Sequence, residues 1–87
     1  MAYRVEIKPQ AEKALGRLPN PQRGRVALAI DGLARNPRPA GCAKIVGAPD
    51  AYRIRVGDYR VVYEIEDRVL TVYVVRIGHR KEVYRGL

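Results

Sequence analysis

Apolar and charged residues alternate at the start of the chain. Between Ala2 and Lys8 the residues Tyr3, Val5 and Ile7 fall on one side and charged residues fall on the other. This period of two is typical of a strand with one buried face. We therefore predict a strand over Ala2–Lys8.

The spacing of apolar residues then changes to intervals of three and four, which predicts two helices. Residues 10–18 form the first, and Pro9 suits its first position because the N–H that proline lacks is not needed there. In Asn20-Pro21 we expect Asn20 to be the N-cap of the second helix and Pro21 its first residue. Asn36-Pro37 ends it.

Pro and Gly are frequent between Pro37 and Asp50, which predicts a long loop with a short strand at Lys44–Val46. Three segments rich in β-forming residues follow, separated by Gly57-Asp58 and by Asp67-Arg68. They are Ala51–Val56, Tyr59–Glu66 and Val69–Ile77. Their order and short connections predict an antiparallel meander.

These elements predict an α+β fold in a single domain over residues 1–87. The N-terminal strand and the three-strand meander form a small antiparallel sheet, and the two N-terminal helices pack on one face of it. A turn at Gly57-Asp58 places Arg55 opposite Arg60, and closing the next hairpin around Asp67-Arg68 pairs Ile65 with Leu70. The face away from the helices then carries Arg53, Arg55, Arg60, Thr71, Tyr73 and Val75.

The positive charge of the chain indicates what kind of ligand this polar face binds. The chain has 17 Lys and Arg against nine Asp and Glu, a formal net charge of +8. Two Arg directly opposed across strands destabilise a sheet unless an anion lies between them. Guanidinium groups that hold phosphate, with a Tyr73 ring beside them for stacking, are typical of a site for single-stranded nucleic acid.

The composition excludes several chemistries. The sequence has no Ser, and Cys42 and His79 are the only Cys and His, so we expect no serine nucleophile, no metal site and no internal disulfide. We expect no cofactor either. With no long apolar segment and no signal peptide, the sequence predicts a cytoplasmic protein without membrane contact. His79 is interpreted as an ordinary surface residue, as a phosphate contact or as an acid–base group.

Four sequence motifs in order resemble those of RelE-type toxins, members of the RelE/ParE superfamily. The segment 48–55 and the following Asp-Tyr-Arg-Val-Val-Tyr of residues 58–63 look like the central hairpin of these toxins. Lys44-Ile45-Val46-Gly47 precedes it, Gly78-His79-Arg80 follows, and Glu82-Val83-Tyr84 closes the series. The resemblance covers nearly the whole chain.

The resemblance implies a toxin of a type II toxin–antitoxin system that cuts mRNA in the ribosomal A site without a metal and so inhibits translation. In that reaction the ribose 2'-OH attacks the adjacent phosphate. It further implies that Arg60 holds the scissile phosphate, that Arg80 stabilises the transition state, and that Tyr84 stacks on a base or orients the 2'-OH. Arg53 and Arg55 line the same groove and complete the implied catalytic set.

The residues expected to bind RNA are Lys44, Arg53, Arg55, Arg60, Tyr73 and His79. The best-known members of the family carry Lys where this chain has Arg53 and Arg55, and Arg does not readily lose its proton. Three routes for the protons remain: electrostatic stabilisation alone, groups supplied by the ribosome, or a role for His79 or Tyr84. We favour electrostatic stabilisation with positioning by the ribosome.

The implied partners are the ribosome, mRNA and a cognate RelB-like antitoxin. An acidic or amphipathic segment of that antitoxin would cover the basic face in a heterodimer or heterotetramer. Two other functions are compatible with a small basic protein of this kind. One is a ParE-like poison of DNA gyrase, which belongs to the same superfamily, and the other is a ribosome- or RNA-binding protein that blocks translation without cutting.

Overall fold

Two helices pack against one face of a five-stranded sheet in the computed structural model, which describes residues 2–79. The strand order is β1-β5-β4-β3-β2. The elements are β1 (Arg4–Ile7), α1 (Pro9–Arg17), α2 (Gln22–Gly32), β2 (Ala43–Lys44), β3 (Ala51–Val56), β4 (Tyr59–Glu66) and β5 (Thr71–His79). None of the helices within residues 2–79 is long and apolar enough to cross a membrane.

The α+β class and the placement of both helices on one face are confirmed, but the sheet is mixed rather than wholly antiparallel. β1 runs parallel to β5, with Arg4 beside Thr71 and Ile7 beside Val74. The other neighbouring strands are antiparallel. Alternation along β1 indicates a strand, but it does not show which strand pairs with β1 or in which direction. The long connection from β1 to β5 also permits either direction.

The beginning of α2 differs from the prediction. The helix starts at Gln22, Pro21 occupies the N-cap position, and no side chain caps the helix. Asn20 is therefore not the N-cap, and the Asn20–Pro21 peptide bond is cis. In α1 the predicted position of Pro9 in the first turn is confirmed.

The short strand in the long loop lies one residue earlier than predicted. β2 spans Ala43–Lys44, not Lys44–Val46, and Ala43 pairs with Arg53 of β3. The chain leaves β2 in a tight reversal in which Gly47 has a φ of 81° and the Ile45 N–H donates to the Ala51 carbonyl at 2.9 Å. Glycine adopts the left-handed backbone at this position without strain, which permits the reversal between β2 and β3.

The predicted register of the β4–β5 hairpin is wrong by two residues. Residues 67–70 form the connection, with a 3₁₀ turn at Asp67–Val69 and a left-handed Leu70 at a φ of 48°. Ile65 therefore pairs with Val72 instead of Leu70. The sequence predicts a connection of two or four residues centred on Asp67-Arg68, whereas the observed connection is centred one residue later and contains a 3₁₀ turn that has no comparable sequence signal.

A bulge further along β5 changes which side chains face the helices. Tyr63 pairs with Val74, whereas its neighbour Val62 pairs with Arg76, so Val75 is the additional residue. Beyond the bulge the alternation is inverted, and Ile77 joins the core. We call the side of the sheet away from the helices the arginine face. By strand register it carries Arg53, Arg55, Arg60, Val62, Glu64, Thr71, Tyr73 and Arg76.

The core lies between the helices and the opposite face of the sheet. Its fully buried members include Val26 and Ile30 of α2 and Tyr63 of β4. The Tyr63 hydroxyl donates to the Pro37 carbonyl at 2.7 Å. Burial raises the pKa of the Tyr63 phenol above its ordinary value. This bond fixes the loop after α2 against the sheet.

A cluster of hydrogen-bonded side chains, which we call the clamp, joins segments that are distant in sequence. It consists of Tyr3, Arg38, Tyr52 and Asp67. Asp67 accepts hydrogen bonds from the Tyr3 hydroxyl at 2.6 Å and from the Arg38 guanidinium at 2.9 Å. Arg38 also donates to the Tyr52 hydroxyl at 3.3 Å. These hydrogen bonds hold the pKa of the Asp67 carboxyl below its usual value, with the Arg38 bond contributing most. The clamp ties the β4–β5 connection to the N-terminus and to the loop after α2.

Candidate functional site

Four basic side chains line one cleft on the arginine face. The cleft has a volume of about 380 Å³, and its basic residues are Lys44, Arg53, Arg55 and Arg60. All four were predicted from the sequence to bind RNA. Ala43, Ile45 and Val46 complete its wall.

The β3–β4 hairpin positions the arginines. A turn at Gly57-Asp58, with Gly57 at a φ of 60°, sets Arg55 directly opposite Arg60. This is the pairing predicted from the sequence, and it is confirmed. Arg53 lies two residues from Arg55 on the same strand and therefore on the same face. β2 then brings Lys44 to the edge of the cleft.

The positive charge of the cleft is not neutralised within the described residues. Arg53 and Arg60 are half-buried, and Arg55 and Lys44 are exposed. The ion pairs found within residues 2–79 join Arg4 to Glu6 and Arg38 to Asp67, so none involves the four cleft cations. Guanidinium groups so placed can hold a phosphate through paired N–H donors and stabilise negative charge that develops on it.

Analysis of the sequence missed one basic residue of the arginine face. Arg76 pairs with Val62, which is 0% exposed and lies between Arg76 and Arg53 in the sheet. A strictly alternating β5 would have turned Arg76 toward the helices. The spacing of the core residues Val72, Val74 and Ile77 is the signal that could have located the bulge, because it changes from two to three.

Tyr73 lies on the arginine face but outside the cleft. It pairs with Glu64, four residues from Arg60 along β4. The Lys8 ammonium lies 4.7 Å from the centre of the Tyr73 ring, a cation–π contact. Its predicted role in stacking on a base stays a prediction.

His79 pairs with Tyr59 at the end of β5, and their ring centres lie 5.4 Å apart in an edge-on arrangement. Tyr59 packs against the core, so the pair lies on the helix side of the sheet rather than in the cleft. Arg80 and Tyr84 lie outside the described residues. The roles predicted for these three residues stay predictions.

No group of three or more His, Cys, Asp or Glu side chains within residues 2–79 is placed to hold a metal ion. The functional groups that the described structure brings together in the cleft are one ammonium and three guanidinium groups. Ammonium and guanidinium groups are cations that donate hydrogen bonds without accepting them. The cleft is thus suited to an anionic ligand.

The sequence matches a known family over most of its length. Residues 5–84 match the family model of the ParE toxin of type II toxin–antitoxin systems. Toxin RelG of Mycobacterium tuberculosis is 31% identical over 86 residues, which is 98% of this chain and 99% of the relative. The mRNA interferase toxin RelE of Escherichia coli is 31% identical over 97% of this chain and 92% of its own.

Solved structures agree with this relationship. The archaeal RelE–RelB complex of Pyrococcus horikoshii contains a chain that superposes with a TM-score of 0.82 at 34% identity, over 93% of this chain and 98% of that one. Isolated E. coli RelE toxin superposes with a TM-score of 0.79 at 30% identity, over 95% and 92%. On the family match and on these relatives together, the chain belongs to the RelE/ParE family of toxins of type II toxin–antitoxin systems.

Proposed function

We propose that this toxin is a ribosome-dependent endoribonuclease that cuts mRNA in the ribosomal A site and thereby inhibits translation. The observation that carries the proposal is the cleft in which Lys44, Arg53, Arg55 and Arg60 converge. Among residues 2–79 no carboxylate lines this cleft or forms an ion pair with any of the four. The similarity to the mRNA interferase toxin RelE supports it. A site made of cations suits a reaction in which negative charge develops on a phosphate.

The reaction begins when a ribose 2'-OH attacks the adjacent phosphorus. The bond from phosphorus to the 5'-oxygen breaks, which leaves a 2',3'-cyclic phosphate and a 5'-OH. The 2'-OH loses a proton, and the leaving oxygen gains one. A dianionic phosphorane lies between the reactant and the products. Positive charge already in place lowers the free energy of this phosphorane more than that of the singly charged phosphodiester.

Arg60 and Arg55 face each other across the hairpin and would hold the scissile phosphate between them. Arg53 extends the positive surface along β3. Because Arg retains its proton, these residues act through charge and hydrogen bonding rather than as general bases. Positioning of the 2'-OH for in-line attack would come from the ribosome.

Arg80 and Tyr84 complete the proposed catalytic set. Arg80 would stabilise the transition state, and Tyr84 would stack on a base or orient the 2'-OH. In the alternative proton routes, His79 or Tyr84 transfers the proton. The variant Tyr84→Phe tests the tyrosine route, because cleavage that stays intact in this variant would exclude a proton role for the Tyr84 hydroxyl.

The partner that restrains the toxin would be a RelB-like antitoxin with an acidic or amphipathic segment over the basic cleft, in a heterodimer or heterotetramer. The RelE–RelB complexes of P. horikoshii and E. coli among the structural neighbours support this proposal. Since the ribosome is the proposed site of action, the toxin would act in the cytoplasm.

The decisive experiment is cleavage of a programmed message on purified 70S ribosomes, mapped by primer extension. Wild-type protein is compared with Arg60→Ala, and naked RNA is the control. We expect discrete cuts at A-site codons with the wild type, none on naked RNA, and a rate lower by about 10²- to 10³-fold with Arg60→Ala. Absence of cuts with folded, toxic wild-type protein would contradict the proposal.

One observation favours a second candidate, a gyrase poison, because the matching family model is that of the ParE toxin. That function does not require the cations of the cleft. It would give DNA damage in cells and trapped gyrase–DNA complexes in vitro, neither of which an RNA-cutting toxin produces directly. A protein that inhibits translation but gives neither cuts nor trapped gyrase would be a passive blocker.

A further inference from the structure

A second basic groove lies at the edge of the sheet, between α1 and β5. Its volume is about 300 Å³. Lys13 and Arg17 of α1 form one side, and Arg76 of β5 forms the other. The partly or fully buried Ala14 and Ile77 lie between them. We call this the edge groove.

The topology of the sheet creates the edge groove. β1 ends at Ile7, opposite Val74, and the Lys8 N–H donates to the Val74 carbonyl at 2.9 Å. Beyond this point, β5 has no strand beside it on that side within residues 2–79. Peptide groups along this edge have no neighbouring strand among residues 2–79, and α1 packs over β5.

The charges of the edge groove are of one sign. Lys13 and Arg17 are four residues apart on α1, so their side chains are neighbours that repel each other. No Asp or Glu lines the groove, and neither residue forms an ion pair with a carboxylate of residues 2–79. As in the cleft, an anion between the cations would relieve the repulsion.

The edge groove adjoins the cleft through β5. Gly78 lines the groove and pairs with Arg60, which lines the cleft. Neighbouring strands are about 5 Å apart, so one strand separates the two sites. Gly78 has no side chain to stand between them. The positively charged surface therefore continues from the cleft on the arginine face, across Gly78, and around the β5 edge to the groove beside α1.

We propose that the edge groove binds the phosphodiester backbone of RNA next to the segment held in the cleft. This inference rests on the proposed function. The source of the backbone is either the message itself or ribosomal RNA, which share this chemistry. Contacts from Lys13, Arg17 and Arg76 to phosphate are independent of base sequence, so the groove contributes affinity and register rather than codon preference.

The apolar surface of the protein argues against an amphipathic peptide as the occupant. Such a peptide would need exposed apolar side chains to pack against. The large apolar side chains exposed within residues 2–79 are Leu28, Val46 and Val69, and none lines the edge groove. A ligand that offers regularly spaced charge is the better match.

The test compares a groove variant with a charge-matched control. The groove variant is Lys13→Gln with Arg17→Gln, both exposed on α1. The control is Arg25→Gln with Arg35→Gln, which removes two exposed cations that line neither site. Thermal unfolding verifies that both variants are folded. Binding is measured at several salt concentrations to a 2'-O-methyl RNA oligonucleotide, which cannot be cut, and to vacant 70S ribosomes.

Each phosphate contact with a single strand contributes about 0.7 to the slope of log affinity against log salt. We therefore expect the groove variant to bind RNA more weakly and with a slope lower by about 1.4, and the control to match the wild type. A loss of affinity for vacant ribosomes, which carry no message, assigns the groove to ribosomal RNA, and a loss of affinity for the oligonucleotide alone assigns it to the message. On programmed ribosomes the groove variant should raise KM and leave kcat unchanged.

A groove variant that matches the control in both binding assays overturns the inference. So does a loss of affinity confined to an antitoxin, which would identify the groove as a protein-binding surface. Arg60→Ala, assayed in parallel for cleavage, keeps the two proposals separate. If the wild type cuts message and the groove variant behaves as the control, the inference fails alone. If the wild type cuts nothing, the proposed function fails, and the binding assays still show whether the edge groove binds RNA.

Discussion

Arg55 and Arg60 lie directly opposite each other on neighbouring strands, with no carboxylate of residues 2–79 in an ion pair with either. Like charges at such a position destabilise a sheet by a few tenths of a kcal/mol to about 1 kcal/mol. The free protein therefore carries an unfavourable contact that a bound phosphate would convert into a favourable one. If the proposed function holds, stability and activity are in conflict at this pair.

We predict that Arg55→Glu stabilises the isolated protein and abolishes cleavage. The substitution replaces a repulsive cross-strand pair with an attractive one, which should raise the free energy of unfolding by about 0.5 to 1 kcal/mol at low salt. The same change puts a negative charge where the phosphate would bind. Urea denaturation and the ribosomal cleavage assay measure the two effects.

Added salt provides the control for this prediction. Screening weakens the interaction between exposed charges, so the gain in stability should decrease as salt is added. A variant that is less stable than the wild type at low salt would show that Arg55 contributes more through packing than it costs through repulsion.

The second prediction concerns protons. With Arg at both positions, residues 53 and 55 cannot act as general bases, so the pH profile of cleavage by the wild type should contain no proton transfer by either residue. In the double variant Arg53→Lys with Arg55→Lys, neighbouring positive charges lower the Lys pKa values toward neutral pH. The pH profile of kcat for this variant should then gain a new ionisation.

The profile must be measured at saturating ribosome concentration, so that pH effects on binding do not enter kcat. Lys8→Arg, which lies outside the cleft, controls for a general exchange of Lys and Arg. Identical profiles for wild type and double variant would mean that residues 53 and 55 take no part in proton transfer, whichever side chain is present.

Much of the site was predictable because it depends on local signals. The turn at Gly57-Asp58 and the alternation on either side of it determined the pairing of Arg55 with Arg60, and the structure confirms that pairing. The segments Ala51–Val56 and Tyr59–Glu66 also have the predicted bounds. A two-residue hairpin leaves little freedom in register, so sequence pattern alone was sufficient.

The structure differs from the sequence predictions where contacts between distant parts of the chain determine the conformation. The connection at residues 67–70 follows from the clamp in which Arg38 and Tyr3 hold Asp67, and neither residue is near it in sequence. The bulge at Val75 lets Ile77 reach the core and turns Arg76 to the arginine face. The direction of β1 depends on its pairing with β5, in which Arg4 lies beside Thr71, 67 residues further along the chain.

The third prediction concerns the bond from Tyr63 to Pro37. Tyr63→Phe should lower the free energy of unfolding by about 1 to 3 kcal/mol, because the buried Pro37 carbonyl loses its hydrogen bond without access to water. Cleavage on ribosomes should be unchanged below the unfolding temperature, since Tyr63 faces away from the cleft. Chemical denaturation followed by circular dichroism measures the change in stability.

Tyr52→Phe is the matched control for Tyr63→Phe. Tyr52 is only half-buried, and its hydroxyl accepts a longer bond of 3.3 Å from Arg38. The solvent can replace that partner, so the control should lose much less stability. Equal losses in the two variants would contradict the importance assigned to the Pro37 contact.

The last prediction is a dependence of stability on acid that comes from Asp67. Its carboxyl has a lower pKa in the folded protein than in the unfolded chain, chiefly because of the hydrogen bond from Arg38. Above about pH 3.9, the pKa of this carboxyl in the unfolded chain, the carboxyl is charged in both states. Only the folded state stabilises the charge, so the contribution of Asp67 to stability is fully present. As the pH falls through the lower folded value, the carboxylate is protonated and the contribution is lost.

Asp67→Asn removes this titration. The melting temperature of the variant should lie below that of the wild type by a nearly constant amount from about pH 5 to 8, and the difference should shrink below about pH 4. Glu66→Gln, an exposed neighbour outside the clamp, should give no such difference at any pH. A gap between wild type and Asp67→Asn that stayed constant into acid would mean that the clamp acts through shape and neutral hydrogen bonds. In that case the ion pair with Arg38 would not be what holds the β4–β5 connection in place.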